Sequence, residues 1–168
     1  PSYYDNGSLG NGEVTVVKDS TVSVMVVNDY HATEVNPVNI TVTGNKQLVG
    51  TAWTANHSFN FRLEKLLADG SWEKLGEEAT AKEGSTSFDF KDAFATERYT
   101  THGSYYYRII ELQPASPLGG ISYDKTVHSF AVHVADKDMN GQFEITEVVS
   151  DRPNTTVVTQ TNNGWNVN

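Results

Sequence analysis

The stretches S-F-N-F-R-L-E-K at residues 58–65 and S-Y-Y-Y-R-I-I-E-L at residues 104–112 decide the fold class of this chain. In the first, apolar and polar residues alternate, which is the period-2 pattern of a half-buried β-strand. The second carries Tyr105, Tyr107 and Ile109 on one face. Val, Ile, Tyr and Phe suit strands, and no long stretch shows the 3.6-residue period of a helix. The patterns predict an all-β fold.

Further candidate strands follow at short intervals with turn residues between them, as in a sandwich or barrel. We expect strands at 12–17, 21–27, 38–42, 72–75, 85–90, 128–135, 142–149 and 155–161. The dipeptides Asp69-Gly70 and Asn140-Gly141 are typical of tight hairpin turns. Residues 91–97 indicate at most one or two helical turns.

Two parts of the chain resemble each other. Residues 11–28 and 140–162 both begin with Asn-Gly, cross a polar turn and end in a Val/Thr strand that finishes in Asn. Such self-similarity is typical of tandem repeats, although two unrelated hairpins of common composition are an alternative. We predict the C-terminal hairpin of a preceding repeat at 1–31, a linker at 32–37 and a complete β-sandwich repeat at 38–168.

Composition excludes several classes of function. The net charge of −9 argues against nucleic acid and anionic lipid as partners, because phosphate binding needs clustered Lys and Arg. No apolar run approaches the roughly 20 residues that span a bilayer. Cysteine is absent, which excludes disulfides and thiolate metal sites. Since the sequence shows neither a signal peptide nor a sorting tail, we expect a mature or excised segment.

Three polar side chains share a face with apolar positions of the predicted strands. Lys46 does so in the first strand of the 38–168 repeat, Glu111 in a middle strand and Asn162 in the last. Burial of an isolated charge is costly, so a buried amine or carboxyl group tends to become neutral. A neutral Lys46 amine could attack the Asn162 carboxamide while Glu111 transfers a proton to the leaving ammonia. The product would be an uncharged amide cross-link, formed once and without enzymatic turnover.

Each of these residues could also have an ordinary structural role. Lys46 could extend from a sheet edge into solvent, and Glu111 could pair with Arg108 or Arg62. Asn162 could cap a turn, as Asn commonly does. From the residues alone, both interpretations stay open.

The order of several motifs resembles a known family, the streptococcal pilin isopeptide-linkage domain. Similar in sequence to successive strands of that domain are V-T-G-N-K-Q-L-V-G at 42–50, F-N-F-R-L at 59–63, Y-Y-Y-R-I-I-E at 105–111, G-I-S-Y-D at 120–124, F-A-V-H-V-A-D at 130–136 and T-T-V-V-T-Q-T-N at 155–162. The resemblance covers nearly all of residues 38–165. Each motif is weak alone, whereas their order and spacing are fairly specific.

The resemblance implies an immunoglobulin-like (CnaB-like) β-sandwich of the kind found in tandem in pilus shafts and adhesin stalks. It assigns the cross-link to Lys46 and Asn162, the catalytic role to Glu111, and a cross-link in the preceding repeat to Asn28. We therefore expect a non-enzymatic structural module that is extracellular and attached to the cell wall of a Gram-positive bacterium. Its expected partners are neighbouring repeats or filament subunits.

The closing strand departs from the family pattern. Gln160 stands where the family usually has an aromatic residue, and Asn163-Gly164-Trp165 follows Asn162 where the family usually has Tyr. The choice between Asn162 and Asn163 as the partner of Lys46 therefore stays open.

A rival motif lies at residues 136–147, where D-K-D-M-N-G-Q-F-E-I-T-E satisfies the pattern of an EF-hand calcium loop. Its flanks alternate with period 2, whereas an EF-hand needs helices on both sides. Apart from a Ca²⁺ ion that Asp136, Asp138 and Asn140 could bind, we expect no cofactor. A second hypothesis is an adhesin module, with or without calcium, that binds a host ligand or glycan through exposed aromatic residues.

Overall fold

The computed structural model describes residues 2–5, 8–10, 18, 19, 21, 23 and 25–168. The chain divides between His31 and Ala32 into two compact units. In the first unit, three short antiparallel strands, β1 (Ser2–Asp5), β2 (Ser8–Gly10) and β3 (Met25–Val27), form a sheet in the order β2-β1-β3. The strand predicted at 12–17 lies outside the described residues. That this unit is the end of a preceding repeat stays a prediction.

The second unit is a sandwich of two β-sheets. Its strands are β4 (Ile40–Asn45), β5 (Ser58–Leu66), β6 (Trp72–Lys74), β7 (Ala79–Lys82), β8 (Ser87–Asp89), β9 (Gly103–Leu112), β10 (His128–Ala135), β11 (Glu144–Ser150), β12 (Val158–Thr161) and β13 (Gly164–Val167). One sheet has the order β11-β10-β9-β5-β6, with β7 also paired to β5, and the other has the order β12-β13-β4-β8. The predicted all-β, immunoglobulin-like sandwich is confirmed. No helix long and apolar enough to cross a bilayer occurs in the part of the chain that the structure describes.

The core lies between the two sheets and follows the alternation read from the sequence. In β5, Phe59, Phe61 and Leu63 are buried, and Tyr107 and Ile109 of β9 lie on the same side of this sheet. Burial of one such side chain contributes about 1.5–3 kcal/mol. The burial of these side chains therefore stabilises the packing of the two sheets.

The first and last strands of the sandwich are neighbours. Strand β13 pairs in parallel with β4, with Trp165 opposite Ile40 and Val167 opposite Val42. Strand β12 pairs with β13 in antiparallel fashion, through the turn at Asn162. The sequence predicted one closing strand at 155–161, whereas the structure has a hairpin whose second strand contacts β4.

The segment predicted as a linker is bound to the sandwich. Thr33 donates its N–H to the Gly141 carbonyl (2.8 Å) and accepts from the Phe143 N–H (3.0 Å). Val35 and Tyr99 exchange two backbone hydrogen bonds of 3.1 and 3.0 Å. Residues 33–35 are therefore part of the second unit and not a free connection between units.

Residues 91–96 form consecutive turns and not the short helix that the sequence allowed. Strand β7 was not predicted at all. Its sequence, Ala-Thr-Ala-Lys, is poor in strand-forming residues. It pairs with β5 because the small Ala79 and Ala81 fit opposite Phe61 and Phe59.

Candidate functional site

Lys46 and Glu111 meet between the two sheets. The Lys46 Nζ atom lies 2.7 Å from Glu111 Oε2, and the two side chains are only 13% and 3% exposed. Lys46 follows β4, and its backbone N–H donates to the Thr86 carbonyl (2.9 Å), which extends the pairing of β4 towards β8. Glu111 lies near the end of β9, opposite Phe61 of β5. Both side chains point inward, as strand alternation predicted.

The structure does not show the ordinary structural roles that the sequence left open for Lys46 and Glu111. Arg108 pairs with Glu64 at 2.7 Å, and Arg62 donates to Glu78 at 2.8 Å. Glu111 therefore has Lys46 as its basic partner, and Lys46 does not extend into solvent.

The surroundings of the Lys46 amine are apolar on one side. Its Nζ atom lies 4.9 Å from the centre of the Phe59 ring. Trp53 and Tyr123 contact that ring, with centroid distances of 5.6 and 5.7 Å. In such an environment the desolvation of two charges offsets much of their attraction. The ion pair therefore contributes little net stability to the fold.

One carboxylate oxygen of Glu111 is left without a partner. Oε1 is buried and accepts no hydrogen bond from any residue that the structure describes. A buried acceptor in this state costs about 1–3 kcal/mol. An amide N–H or a hydroxyl that entered beside Lys46 would relieve this cost.

The pair opens into a groove of about 1010 Å³ that is also lined by Asp124, His128 and Thr156. Hydrogen bonding from Thr126 lowers the pKa of Asp124, and the charges of Lys46 and His128 act in the same direction. His128 Nδ1 and the buried Thr156 hydroxyl lie 3.0 Å apart. The groove thus has polar groups at its wall and room for another side chain beside Lys46.

Asn162 does not line this groove. It is exposed in the turn between β12 and β13, which lies at the start of β4, because the Trp165 N–H donates to the Asn39 carbonyl (3.0 Å). Lys46 follows the other end of β4. From position 39 to position 46 a strand extends roughly 20 Å. The structure brings together two of the three predicted residues and leaves Asn162, with Asn163 beside it, apart from them.

A different carboxamide of the same hairpin lines the groove. Asn168 follows β13, and its backbone exchanges hydrogen bonds of 2.6 and 2.9 Å with that of Val157. The sequence reasoning missed it because the predicted closing strand ended at residue 161. The alternation of G-W-N-V-N at 164–168 was the signal that could have revealed β13.

A family model described as FctA, the Spy0128-like isopeptide containing domain, matches residues 42–163. The chain belongs to this family. Neither a curated protein nor a solved structure matches the chain. The FctA match confirms the resemblance found in the sequence, includes Lys46, Glu111, Asn162 and Asn163, and ends before β13.

Two other predicted sites of this FctA-family chain are Asn28 and the loop after β10. Asn28 is exposed directly after β3, and its role in a cross-link stays a prediction. In the loop after β10, the Asp136 carboxylate accepts from the backbone N–H groups of Asn140 and Gly141 (3.1 and 2.8 Å), and Asp138 accepts from the Asn140 side chain (2.9 Å). Among the described residues no group of three His, Asp or Glu side chains is arranged to hold a metal ion. Calcium binding at this loop also stays a prediction.

Proposed function

We propose that the chain is a load-bearing module of a pilus, filament or adhesin stalk, extracellular and attached to the cell wall. An isopeptide bond from Lys46 to a carboxamide of the C-terminal hairpin would tie the first strand of the sandwich to the last. Membership of the FctA family supports a pilin-type structural domain. Neighbouring repeats or filament subunits are the partners that this function implies.

The observation that carries the proposal is the buried Lys46–Glu111 pair with its unpartnered Oε1 atom. Transfer of one proton from Lys46 to Glu111 gives a neutral amine, which is a nucleophile, and a carboxylic acid, which can donate to an amide. Both groups are 2.7 Å apart, within the distance for direct proton transfer. The pair therefore has the geometry of a nucleophile beside its general acid–base.

The reaction balances without oxidant or cofactor. The amine attacks the carboxamide carbon, a C–N bond to Lys46 forms, and the bond to the amide nitrogen breaks. Glu111 passes the proton to that nitrogen, which leaves as ammonia. The amide product has no charge at the former amine, so the cost of burying an ammonium group is removed. Each chain reacts once.

Such a bond would change how the module bears load. Strands β4 and β13 are adjacent and parallel, so a force that separates them loads the hydrogen bonds between them. A covalent tie from Lys46 to β12 or β13 would divert that force to a chemical bond. Closing a loop of more than a hundred residues also removes roughly 4–5 kcal/mol of unfolded-chain entropy, by analogy with disulfides.

Single-molecule pulling between handles at the two termini tests the proposal. We expect unfolding of the wild type to release only the chain outside the closed loop, whereas Glu111→Gln should release the length of the whole sandwich. Glu78→Gln is a matched control, because it makes the same change in an exposed ion pair with Arg62. Equal extension of the wild type and Glu111→Gln would contradict the proposed function.

The three tryptophans do not support the alternative of a glycan-binding adhesin module. Trp53 packs edge-on against Phe59, and Arg108 stacks on Trp72 at 4.2 Å. Trp165 lies half-buried in β13 and packs against the core. The tryptophans are therefore used for packing within the sandwich.

A further inference from the structure

We infer that the free edge of strand β12 is a contact surface for a second copy of this chain, which pairs with it through its own β12 strand. The inference goes beyond the proposed function. It needs no isopeptide bond, because it concerns backbone hydrogen bonds at the edge of a sheet.

The first observation is the absence of charge at this edge. A sheet edge presents unpaired N–H and C=O groups, and proteins commonly protect such edges with charged side chains. The other edge strands of the sandwich, β11, β6, β7 and β8, each contain at least one charged residue: Glu144 and Glu147, Glu73 and Lys74, Lys82, and Asp89. Strand β12 lies within residues 153–168, which contain no charged side chain. Its edge therefore lacks the protection that the other edges have.

The second observation is the direction of the backbone groups of β12. Val157 and Asn168 exchange two backbone hydrogen bonds of 2.6 and 2.9 Å. Because hydrogen-bonded and non-hydrogen-bonded pairs alternate along an antiparallel ladder, the N–H and C=O groups of Thr159 face β13. Those of Val158 and Gln160 point to the free edge, where no strand that the structure describes pairs with β12.

The third observation is the sequence of the edge. The segment T-T-V-V-T-Q-T at residues 155–161 is rich in β-branched residues and contains neither charge nor proline, as in segments that pair edge to edge. Thr159, Gln160 and Thr161 are exposed, and Val157 is 51% exposed. An exposed edge of this kind is a surface to which a further strand can add.

Charge and symmetry favour a second copy as that partner. Two identical strands that pair antiparallel about a two-fold axis present the same surface to each other, so no other surface is needed. The net charge of −9 opposes contact between most surfaces of two copies, whereas β12 brings no like charges together. The neutral edge also offers no ionic partner to a charged foreign peptide.

The directions of the backbone groups define the register of this pair. In the register that pairs all the outward groups, Val158 of each copy exchanges two hydrogen bonds with Gln160 of the other. Thr159 then lies opposite Thr159 of the second copy in a non-hydrogen-bonded pair, with Cα atoms roughly 4.5 Å apart. The two Val157 residues are separated by about 13 Å along the strands.

The contact is short, so it is weak between two free molecules. It becomes stronger where many copies lie along two neighbouring filaments, because each further contact then forms at a high effective concentration. The edge of β12 is thus suited to lateral association of filaments built from this chain.

Single cysteines test the pairing, because the chain contains no cysteine of its own. Thr159→Cys places two thiols opposite each other at the two-fold axis, within the Cα separation of about 4.4–6.8 Å that a disulfide needs. Val157→Cys is the matched control, since it lies on the same face of the same edge and its two thiols are too far apart. The full-length variants are oxidised at several concentrations, and non-reducing electrophoresis measures the linked dimer.

A third variant, Thr159→Cys/Gln160→Pro, tests whether backbone pairing causes the linkage. Proline at residue 160 removes an N–H group that points to the free edge, where proline is tolerated because the pairing with β13 does not need that group. Circular dichroism confirms that each variant folds.

We expect Thr159→Cys to form linked dimer several-fold faster than Val157→Cys, and the proline variant to fall to the rate of Val157→Cys. Equal rates for the two single variants would overturn the inference and leave the proposed function intact, because the isopeptide bond is tested separately by mass. Fast linkage that persists in the proline variant would also overturn it, since the thiols would then meet without backbone pairing.

Discussion

At the scale of single residues, strand alternation predicts which way a side chain points but not where it lies along a neighbouring strand. Lys46 and Glu111 were predicted to point inward from their phase with apolar residues, and they meet at 2.7 Å. Asn162 has the same kind of phase, yet the hairpin places it at the far end of β4. The face on which a side chain lies is a local property of its own strand. Its distance from side chains of other strands depends on how distant parts of the chain pair.

The ion pair makes a prediction about stability that does not depend on the cross-link. Lys46→Met removes the amine and leaves the buried Glu111 carboxylate unpaired, which should cost about 3–5 kcal/mol relative to a chain with the unreacted ion pair. In Lys46→Met/Glu111→Leu most of this loss should be recovered, because no buried charge remains. Urea unfolding compares the two variants, neither of which can form the bond. Equal stability would show that the Glu111 carboxylate is solvated.

Because two tyrosines are buried in the core, we expect the stability of the fold to decrease at alkaline pH. The hydroxyls of Tyr99 and Tyr107 lie 2.8 Å apart in the core. Burial raises the pKa of both phenols well above the ordinary value of 10.0, and in Tyr107 the neighbouring Tyr99 adds to the shift. Below pH 10 both the folded and the unfolded chain keep these protons. Above it only the unfolded chain loses them, so the free energy of unfolding falls by up to about 1.4 kcal/mol per pH unit for each tyrosine.

Urea unfolding between pH 9 and pH 12 measures this slope. Tyr99→Phe/Tyr107→Phe should have a shallower slope and nearly unchanged stability at neutral pH, since both partners of the hydrogen bond are removed together. The slope that remains in the double variant includes a contribution from Lys65, whose pKa is raised chiefly by its hydrogen bond to Glu97. Lys65 stabilises the fold below its raised pKa and loses this effect as the pH rises through it. Identical slopes for the double variant and the wild type would contradict the assignment.

At the scale of elements, most strands of the sandwich could be predicted from alternation, whereas β7 and β13 could not. Strand β10 was predicted with the bounds that the structure shows, because its apolar residues alternate over eight positions. Strands β7 and β13 are only four residues long, too short for a clear alternation, and β13 also pairs with the distant β4. The parallel pairing of β13 with β4 has no local signal in either strand.

The contact between β4 and β8 predicts a strict requirement for glycine. Gly44 is opposite Phe88, whose ring stacks on Phe61 with centroids 3.9 Å apart. A Cβ atom at residue 44 would overlap the Phe88 ring, so Gly44→Ala should force the ring from its place. We expect a loss of about 1–3 kcal/mol in urea unfolding. Gly119→Ala is the matched control, because no heavy atom lies near its Cβ position, and equal effects of the two changes would contradict this packing.

At the scale of the whole molecule, the proposed function requires a covalent tie between the two ends of the sandwich. The chain contains no cysteine, so a disulfide cannot supply it. The segment at residues 33–35 is bound to the sandwich by backbone hydrogen bonds, and β4 follows it directly. Force that enters through this segment would reach β4 first, and Lys46 follows the end of β4.

The intact mass of the chain, measured under denaturing conditions beside Glu111→Gln and the control Glu78→Gln, tests the central claim most directly. We predict that the wild type and Glu78→Gln are each lighter than their calculated masses by one ammonia molecule, and that Glu111→Gln has its full calculated mass. A wild-type mass equal to that of the unmodified sequence would contradict it.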